Sequence, residues 1–317
     1  MIVDGYKDFV SAATSALTAD ALLASDLLGW WDLLVLDDID ARTAVMAYFE
    51  AEGRTVTSSP ALAGLVSHPY LKAAKSEAND GTWGMAEVQT TDGNLLTARV
   101  VWPACKRFVI DWPGHGTFIG QRDETELGTD SVDLTFATSM TLEATSMEKI
   151  LSESTASSAR QSAMALGRVA ASFEILGASY ALLNLAVDYA GARNQFDRPI
   201  GSFQAVQHLL AWAAVEIHAL ESVCSAALQS MVGADPPPLV AAVAKATAGR
   251  SGTRVAQHTL QVMGAIAFTA EHSHHRFKKR IMIVDSLFGS SSTLTREIGS
   301  NVRDGADARL IGSALKC

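Results

Sequence analysis

Cysteine is scarce in this sequence. The 317 residues include three cysteines, Cys105, Cys224 and Cys317, which are far apart and odd in number. A disulfide framework or a thiolate metal site needs paired or closely spaced cysteines. We therefore expect three small buried or terminal thiols, and the sequence predicts no metal site.

Basic clusters are also missing. Lysine and arginine total 25 against 34 aspartates and glutamates, which gives a formal net charge of −9. Binding to a nucleic-acid backbone needs clustered Lys and Arg to neutralise phosphates. The sequence therefore predicts no nucleic-acid partner, and an anionic ligand would need a local basic pocket.

No uninterrupted apolar run approaches the roughly 18 residues of a membrane-spanning helix, although hydrophobic residues make up 48% of the chain. The first residues, Met1 to Lys7, contain Asp4 and lack the basic and then apolar layout of a secretion signal. These features predict a cytoplasmic protein with no membrane partner. The length allows about two domains with substantial cores.

Several common catalytic motifs are absent. There is no Gly-x-Ser-x-Gly elbow and no phosphate-binding Gly-Lys-Ser/Thr loop, which argues against a common hydrolase or a P-loop NTPase. The segment Gly114–Gly120 imitates a dinucleotide loop, but its last spacing is one residue too long and a β-turn is favoured. His272, His274 and His275 lack the spacing of helical zinc ligands, so a polar helix end is favoured.

Three regions of different texture predict an α+β protein that is mostly helical. Residues 1–78 are rich in Ala and Leu and predict short helices over 13–28, 41–51 and 62–71. Asp40 is the expected N-cap of the second helix, and Gly53 its expected end.

Residues 79–145 predict a small β domain. Alternating apolar and polar residues indicate strands over 95–102, 107–110 and 131–135. Turns are expected at Asp92-Gly93-Asn94 and Pro113-Gly114.

Residues 146–317 predict a four-helix bundle, with helices over 156–194, 202–232 and 239–263 and a fourth from about Ser292. Seven residues recur at three- and four-residue steps along one face of the first helix: Ala165, Val169, Phe173, Leu176, Tyr180, Leu183 and Val187.

One stretch in this bundle resembles the acyl-CoA dehydrogenase family. Tyr189, Arg193, Gln195-Phe196 and Phe203-Gln204 follow the order of the family's helix-loop-helix motif, and Gln261-Val-Met-Gly264 to Glu271 is similar to a second family segment. The resemblance is strong over about 155–300 and faint before that. It implies a fold with an N-terminal helical region, a β domain and a C-terminal bundle.

In that family, the bundle of one subunit wraps the adenine-diphosphate half of the FAD held mainly by its neighbour. The residue types suit that role. Arg193 can make paired hydrogen bonds to a pyrophosphate, and glutamine amides can donate and accept around phosphate, ribose or adenine. Phe196 can pack a flat ring, and glycine allows a close backbone approach. The resemblance thus predicts a cofactor-binding set of Arg193, Gln195, Phe196, Gln204, Gln261, Met263 and Gly264.

The carboxylate that the family uses to remove the substrate α-proton is missing. Its position in most members aligns with Gly289, and the alternative position used by a second group aligns with Gly167. No catalytic residue is therefore predicted in this chain. The flavin-facing part of the β domain, at Met85-Ala-Glu87, also looks shortened.

This combination resembles the non-catalytic subunit of the bacterial α2β2 acyl-CoA dehydrogenases that act on steroid side-chain CoA thioesters. It implies an FAD shared with a homologous catalytic partner, which holds most of the acyl-CoA. Two alternatives stay open. The chain could be an autonomous dehydrogenase with a displaced base such as Glu143, Glu148 or Glu174, or a flavin-free scaffold that stabilises a catalytic partner.

Overall fold

The computed structural model of the chain describes residues 5–20, 24, 28–36, 38–75, 83–102, 104–121 and 137–303. Its elements form three consecutive parts: a helical N-terminal part, one main sheet and a second helical part. The predicted strand over 131–135 and Cys317 lie outside the described residues.

In the described residues of the N-terminal part, four helices are seen: α1 (Tyr6–Ala19), α2 (Trp30–Val35), α3 (Ile39–Thr55) and α4 (Ala61–Ala73). Asp38, rather than the predicted Asp40, caps α3, because its side chain accepts a hydrogen bond of 2.7 Å from the backbone N–H of Ala41. The helix α1 also lies earlier in the chain than the predicted 13–28.

The prediction that Gly53 ends the second helix was wrong. Gly53 lies inside α3, which continues to Thr55. A Cβ atom at Gly53 would lie 1.9 Å from the backbone oxygen of Glu174, so this glycine lets two helix backbones approach each other rather than stopping one.

Six strands form the main sheet: β1 (Trp83–Asp92), β2 (Leu95–Val101), β3 (Arg107–Trp112), β4 (Gly116–Gln121), β5 (Ala137–Glu143) and β6 (Glu148–Leu151). Their order is β5-β2-β1-β3-β4-β6. The pair β1 and β3 is parallel, and the remaining neighbours are antiparallel. The sheet continues to Leu151, past the predicted end of the β region at residue 145.

Up to residue 303, where the description ends, five helices follow the sheet: α5 (Glu153–Ala192), α6 (Gln204–Gln229), α7 (Pro238–Met263), α8 (His274–Ser286) and α9 (Ser291–Arg303). A short hairpin of β7 (Asn194–Gln195) and β8 (Arg198–Pro199) joins α5 to α6. The four-helix prediction therefore missed α8, which begins at the histidines that were interpreted as a polar helix end.

The 40-residue helix α5 is the centre of the fold and packs against α3, α4, α6, α7 and α8. The predicted apolar face is buried at Val169, Phe173 and Leu176, but Val187 near its C-terminal end is 48% exposed. The C-terminal end of α5 thus extends beyond the core, and apolar surface is exposed there.

Among the described residues, two helices are long and apolar enough to cross a membrane by length and composition. The sequence has no uninterrupted apolar run of that length, so it did not predict this result. In α5, 72% of the most apolar window is buried, as in the core helix of a globular fold, whereas in α6 only 28% is buried. Length and composition do not separate a core helix from a membrane span. The apolar residues of α6 are thus mostly uncovered in the single chain.

Candidate cofactor cradle and the altered reaction cleft

The hairpin between α5 and α6 presents the first group of predicted cofactor residues. Arg193 is the residue that ends α5, and its backbone oxygen accepts a hydrogen bond of 2.8 Å from the N–H of Ile200, which closes the hairpin. Phe196 and Asp197 turn the chain with positive φ angles of 53° and 62°. This turn projects the Phe196 ring outward, so that it is 86% exposed.

The second group lies where α7 ends. Gly264 follows Met263 with a positive φ of 66°, the left-handed region that favours glycine, and a Cβ atom there would meet nothing within 4 Å. The backbone at this position therefore faces open space that a flat ligand could occupy.

A small apolar cluster holds the two groups together. It consists of Ala186, Ala190, Val262, Met263 and Ala267, with Tyr189, Ile200 and Val206 packed against it. The end of α5, the start of α6 and the end of α7 therefore form one surface, although the end of α7 lies about 70 residues after the end of α5.

The seven predicted residues divide by exposure. Arg193, Gln195, Phe196, Gln204 and Gln261 are exposed, Gly264 is half-buried, and the side chain of Met263 is 3% exposed within the small cluster. Among the described residues, no side chain accepts a hydrogen bond from the Arg193 guanidinium. The Gln195 amide donates to the backbone oxygen of Asn194, 2.8 Å away. We call the exposed group of Arg193, Gln195, Phe196, Gln204 and Gln261 the cradle.

The chemistry of the cradle fits a dinucleotide diphosphate. A planar guanidinium can bind two phosphate oxygens at once, and three amides provide both donors and acceptors. The exposed ring of Phe196 and the open backbone at Gly264 suit a flat base. These groups point away from the chain's own core, so a ligand held here would be shared with whatever covers this surface.

The two positions expected for a catalytic carboxylate meet at one place in the fold. Gly167 lies in the buried part of α5, and Gly289 lies in the loop between α8 and α9. A Cβ atom at Gly167 would lie 2.9 to 3.0 Å from three ring atoms of Phe288. Neither position carries a carboxylate. The ring of Phe288, the residue before Gly289, covers Gly167.

Three glutamates proposed as displaced bases lie elsewhere. Glu143 and Glu148 are exposed on β5 and β6. Glu174 is completely buried and forms an ion pair with Arg280, whose guanidinium also donates to the backbone oxygen of Thr57 and the hydroxyl of Ser58 at 2.6 and 3.1 Å. None of the three reaches the Gly167–Gly289 region.

Two of the buried ionisable groups that sequence reasoning missed are Lys245 and Glu52. Lys245 of α7 is fully buried, and its burial lowers the pKa of the ammonium group to about 8, although nearby Asp285 opposes the shift. Burial raises the pKa of the Glu52 carboxyl to about 8, and the charge of Glu174 adds to the effect. In the sequence, Lys245 and Glu52 are charged residues among apolar or small residues of a helix, and this pattern could have identified them.

His274 is also buried, with its Nε2 atom 3.1 Å from the hydroxyl of Thr259. Desolvation lowers the pKa of its imidazole. Within the ranges that the structure describes, the three neighbouring histidines do not form a group that could hold a metal ion.

One of the described clefts lies away from both regions. It has a volume of about 450 Å³ and is bordered by α3, α4 and the start of α5, with Arg42, Lys72 and Ser162 among its lining residues. It contains none of the cradle residues and neither of the glycines.

The chain is similar to a known protein family and to several solved structures. Residues 157–302 match the family described as Acyl-CoA dehydrogenase, C-terminal domain. Acyl-CoA dehydrogenase IpdE2 of Mycobacterium tuberculosis is 37% identical over 129 residues, which cover 41% of this chain and 39% of that protein. Acyl-CoA dehydrogenase FadE34 of the same organism is 32% identical over 139 residues, covering 43% of this chain and 20% of FadE34. The matched segments thus span less than half of each of these relatives.

Solved structures extend the likeness to nearly the whole chain. A variant of the Tcur3481-Tcur3483 steroid ACAD has a TM-score of 0.74 at 20% identity, covering 96% of this chain and 99% of that one. The ChsE4-ChsE5 complex from Mycobacterium tuberculosis has a TM-score of 0.71 at 18% identity, covering 96% and 98%. The chain therefore has the acyl-CoA dehydrogenase fold and carries, at residues 157–302, an acyl-CoA dehydrogenase C-terminal domain.

Proposed function

We propose that this chain is the non-catalytic subunit of a heteromeric, FAD-dependent acyl-CoA dehydrogenase. In this proposal it contributes the cradle to the adenine-diphosphate half of an FAD held mainly by a homologous catalytic partner. The observation that carries the proposal is the contrast between an exposed, chemically suitable cradle and a reaction cleft without a carboxylate at Gly167 or Gly289. The assembly would be α2β2 and cytoplasmic.

The cradle residues have distinct roles in this proposal. The Arg193 guanidinium neutralises the pyrophosphate through paired hydrogen bonds, and the Gln195, Gln204 and Gln261 amides orient the neighbouring groups. Phe196 covers the flat base, and Gly264 leaves room for it. Bound FAD supplies the hydride acceptor of the dehydrogenation. The α-proton is removed by a carboxylate of the partner, because this chain has none at Gly167 or Gly289.

The substrate class rests on similarity alone. Two of the similar structures are described as a steroid ACAD and as the ChsE4-ChsE5 complex. By analogy, we propose a steroid side-chain CoA thioester, as in cholesterol catabolism, with most of the acyl-CoA held by the partner.

The decisive experiment is coexpression with an acyl-CoA dehydrogenase encoded by a neighbouring gene. The amount of FAD per chain and the mass of the complex are then measured. We expect one FAD per pair of different chains. Arg193→Ala should release FAD while the complex remains intact, and Arg303→Ala, an exposed arginine at the end of α9, should leave FAD bound.

Two results would contradict the proposal in different ways. One FAD per copy of this chain alone, reduced by an acyl-CoA, would favour an autonomous dehydrogenase with a displaced base. Full FAD retention in the Arg193→Ala complex would favour a scaffold that does not touch the cofactor.

A further inference from the structure

The cleft next to Gly167 is almost filled. It lies between α4, the β1 and β3 strands and α5, and only about 30 Å³ remains open. That volume is close to the share of one water molecule in the liquid, whereas small-molecule sites usually offer about 300 Å³ or more. Its lining residues include Tyr70, Glu87, Asp111, Met164 and Phe288.

The side chain that fills this cleft is Phe288. Its ring lies against Gly167 at a distance that leaves no space for even a methyl group on the glycine. Its backbone has a φ of 56°, which is unusual for a residue other than glycine. The surrounding contacts must therefore hold it in place.

Three cationic side chains hold this loop through its backbone oxygens. Arg99 donates to Ser286 at 2.6 Å, and Arg168 donates to Phe288 at 2.9 Å. Lys245 donates to the oxygens of Asp285 and Gly289 at 2.8 and 3.3 Å. Positive charge at the carbonyl end of α8 is also favoured by the helix dipole, so the loop is fixed from both the sheet and the bundle.

The opposite wall of the cleft carries two carboxylates. Glu87 and Asp111 are paired neighbours on the parallel strands β1 and β3, and burial raises the pKa of both groups. Asp111 is held by Arg160 through hydrogen bonds of 2.6 and 2.9 Å.

We infer that Phe288 closes the cleft of this chain to acyl thioesters, so that the substrate binds only on the partner subunit. The inference rests on the proposed function and adds the residue that decides which of the two related clefts is open. Loss of the base and loss of the space are then separate changes, and Phe288 accounts for the second.

The first test is titration of the FAD-loaded complex with butyryl-CoA by calorimetry. We expect one binding site per pair of different chains. Two sites per pair would overturn the inference and, if FAD remains at one per pair, would leave the proposed function standing. This measurement requires no variant of the chain.

The second test is Phe288→Ala, with benzene as the probe. An engineered apolar cavity of about 150 Å³ stays dry and binds benzene in another protein, so we expect benzene to raise the melting temperature of this variant but not that of the wild type. Phe118→Ala on β4, which packs with Trp112 outside the cleft, is the matched control and should show no such rise. A folded Phe288→Ala protein without a benzene response would mean that other side chains close the cleft, and the inference would be wrong.

Discussion

At the scale of single residues, Glu52 is the carboxyl group whose titration should be visible in stability. It is fully buried on α3, close enough to Glu174 of α5 and Arg280 of α8 to feel their charges. Its folded pKa of about 8 lies above the value of 4.5 expected in the unfolded chain. The neutral form is therefore favoured by folding, and its contribution is full below about pH 4.5 and lost as the pH rises through 8.

Glu52→Gln should remove this pH dependence. We expect the variant to resemble the wild type at pH 5 and to be more stable above pH 8, with a difference that grows by at most about 1.4 kcal/mol per pH unit. Denaturant unfolding across this range measures it. The exposed Glu271→Gln is the control, and equal pH profiles of Glu52→Gln and the wild type would show that Glu52 is ionised when folded.

Restoring a carboxylate at Gly289 should not restore activity. Glutamate at this position would have to adopt a φ of 96°, and its Cβ atom would lie 3.0 Å from Leu294. The Phe288 ring would still fill the cleft. We therefore expect Gly289→Glu to lose about 1 to 2 kcal/mol of stability and, in a complex with a partner whose catalytic carboxylate has been replaced, to show no bleaching of flavin by butyryl-CoA. Gly299→Glu, at an open position on α9, should keep its stability, and flavin reduction by the Gly289 variant would contradict the prediction.

At the scale of elements, the crossing of α3 and α5 depends on two glycines. A Cβ atom at Gly177 would lie 1.9 Å from the backbone oxygen of Glu50, and Gly53 makes the reciprocal contact with Glu174. Backbone atoms cannot move aside as a flexible side chain can. The buried Arg280–Glu174 pair lies beside this crossing, so separation of the helices would also disturb a buried charge.

We expect Gly177→Ala to cost about 3 kcal/mol through overpacking. Gly191→Ala, on the same helix but with nothing within 4 Å of its Cβ position, should instead gain up to about 1 kcal/mol from helix propensity. Urea unfolding of the two variants gives both values. A Gly177→Ala protein as stable as Gly191→Ala would mean that the helices cross less closely than described.

The sequence predicted those elements whose pattern is local. The 3.6-residue period found α5, α6 and α7, and alternation found β2 and β3. The helix α8 was missed because Arg276, Lys278 and Lys279 interrupt its apolar pattern, whereas its buried positions, Phe277 and Ile281, are four residues apart. Gly53 was misread because a glycine at a helix crossing and a glycine at a helix end look alike without the partner helix.

The candidate site shows the same division. The order of Arg193, Gln195, Phe196 and Gln204 identified the family motif, since these residues follow one another along the hairpin. The plug formed by Phe288 over Gly167 was not predicted, because the two residues are 121 positions apart and only the packed fold brings them together. The same holds for the cations that fix the loop, which come from β2, α5 and α7.

At the scale of the whole molecule, several exposed apolar side chains lie on the elements that carry the cradle. Trp212 and Val215 on α6 are 60% and 56% exposed, and Phe268 after α7 is 74% exposed. Tryptophan is among the residue types that contribute most of the binding energy at interfaces. A pair of complementary chains would cover this surface and bring the cradle next to the partner's cofactor, and the uncovered chain should be poorly soluble by itself.

Trp212→Glu should therefore break the heteromeric complex while the chain stays folded. In the complex, the charge would be buried without a partner, which costs several kcal/mol, whereas in the free chain the side chain is solvated. Light scattering after size exclusion should show separate chains and loss of FAD. Met282→Glu, on α8 and 59% exposed, introduces the same charge away from the cradle and should leave the mass of the complex unchanged. If both variants assemble normally, the partner covers a different face, and the cradle cannot be shared in the way proposed.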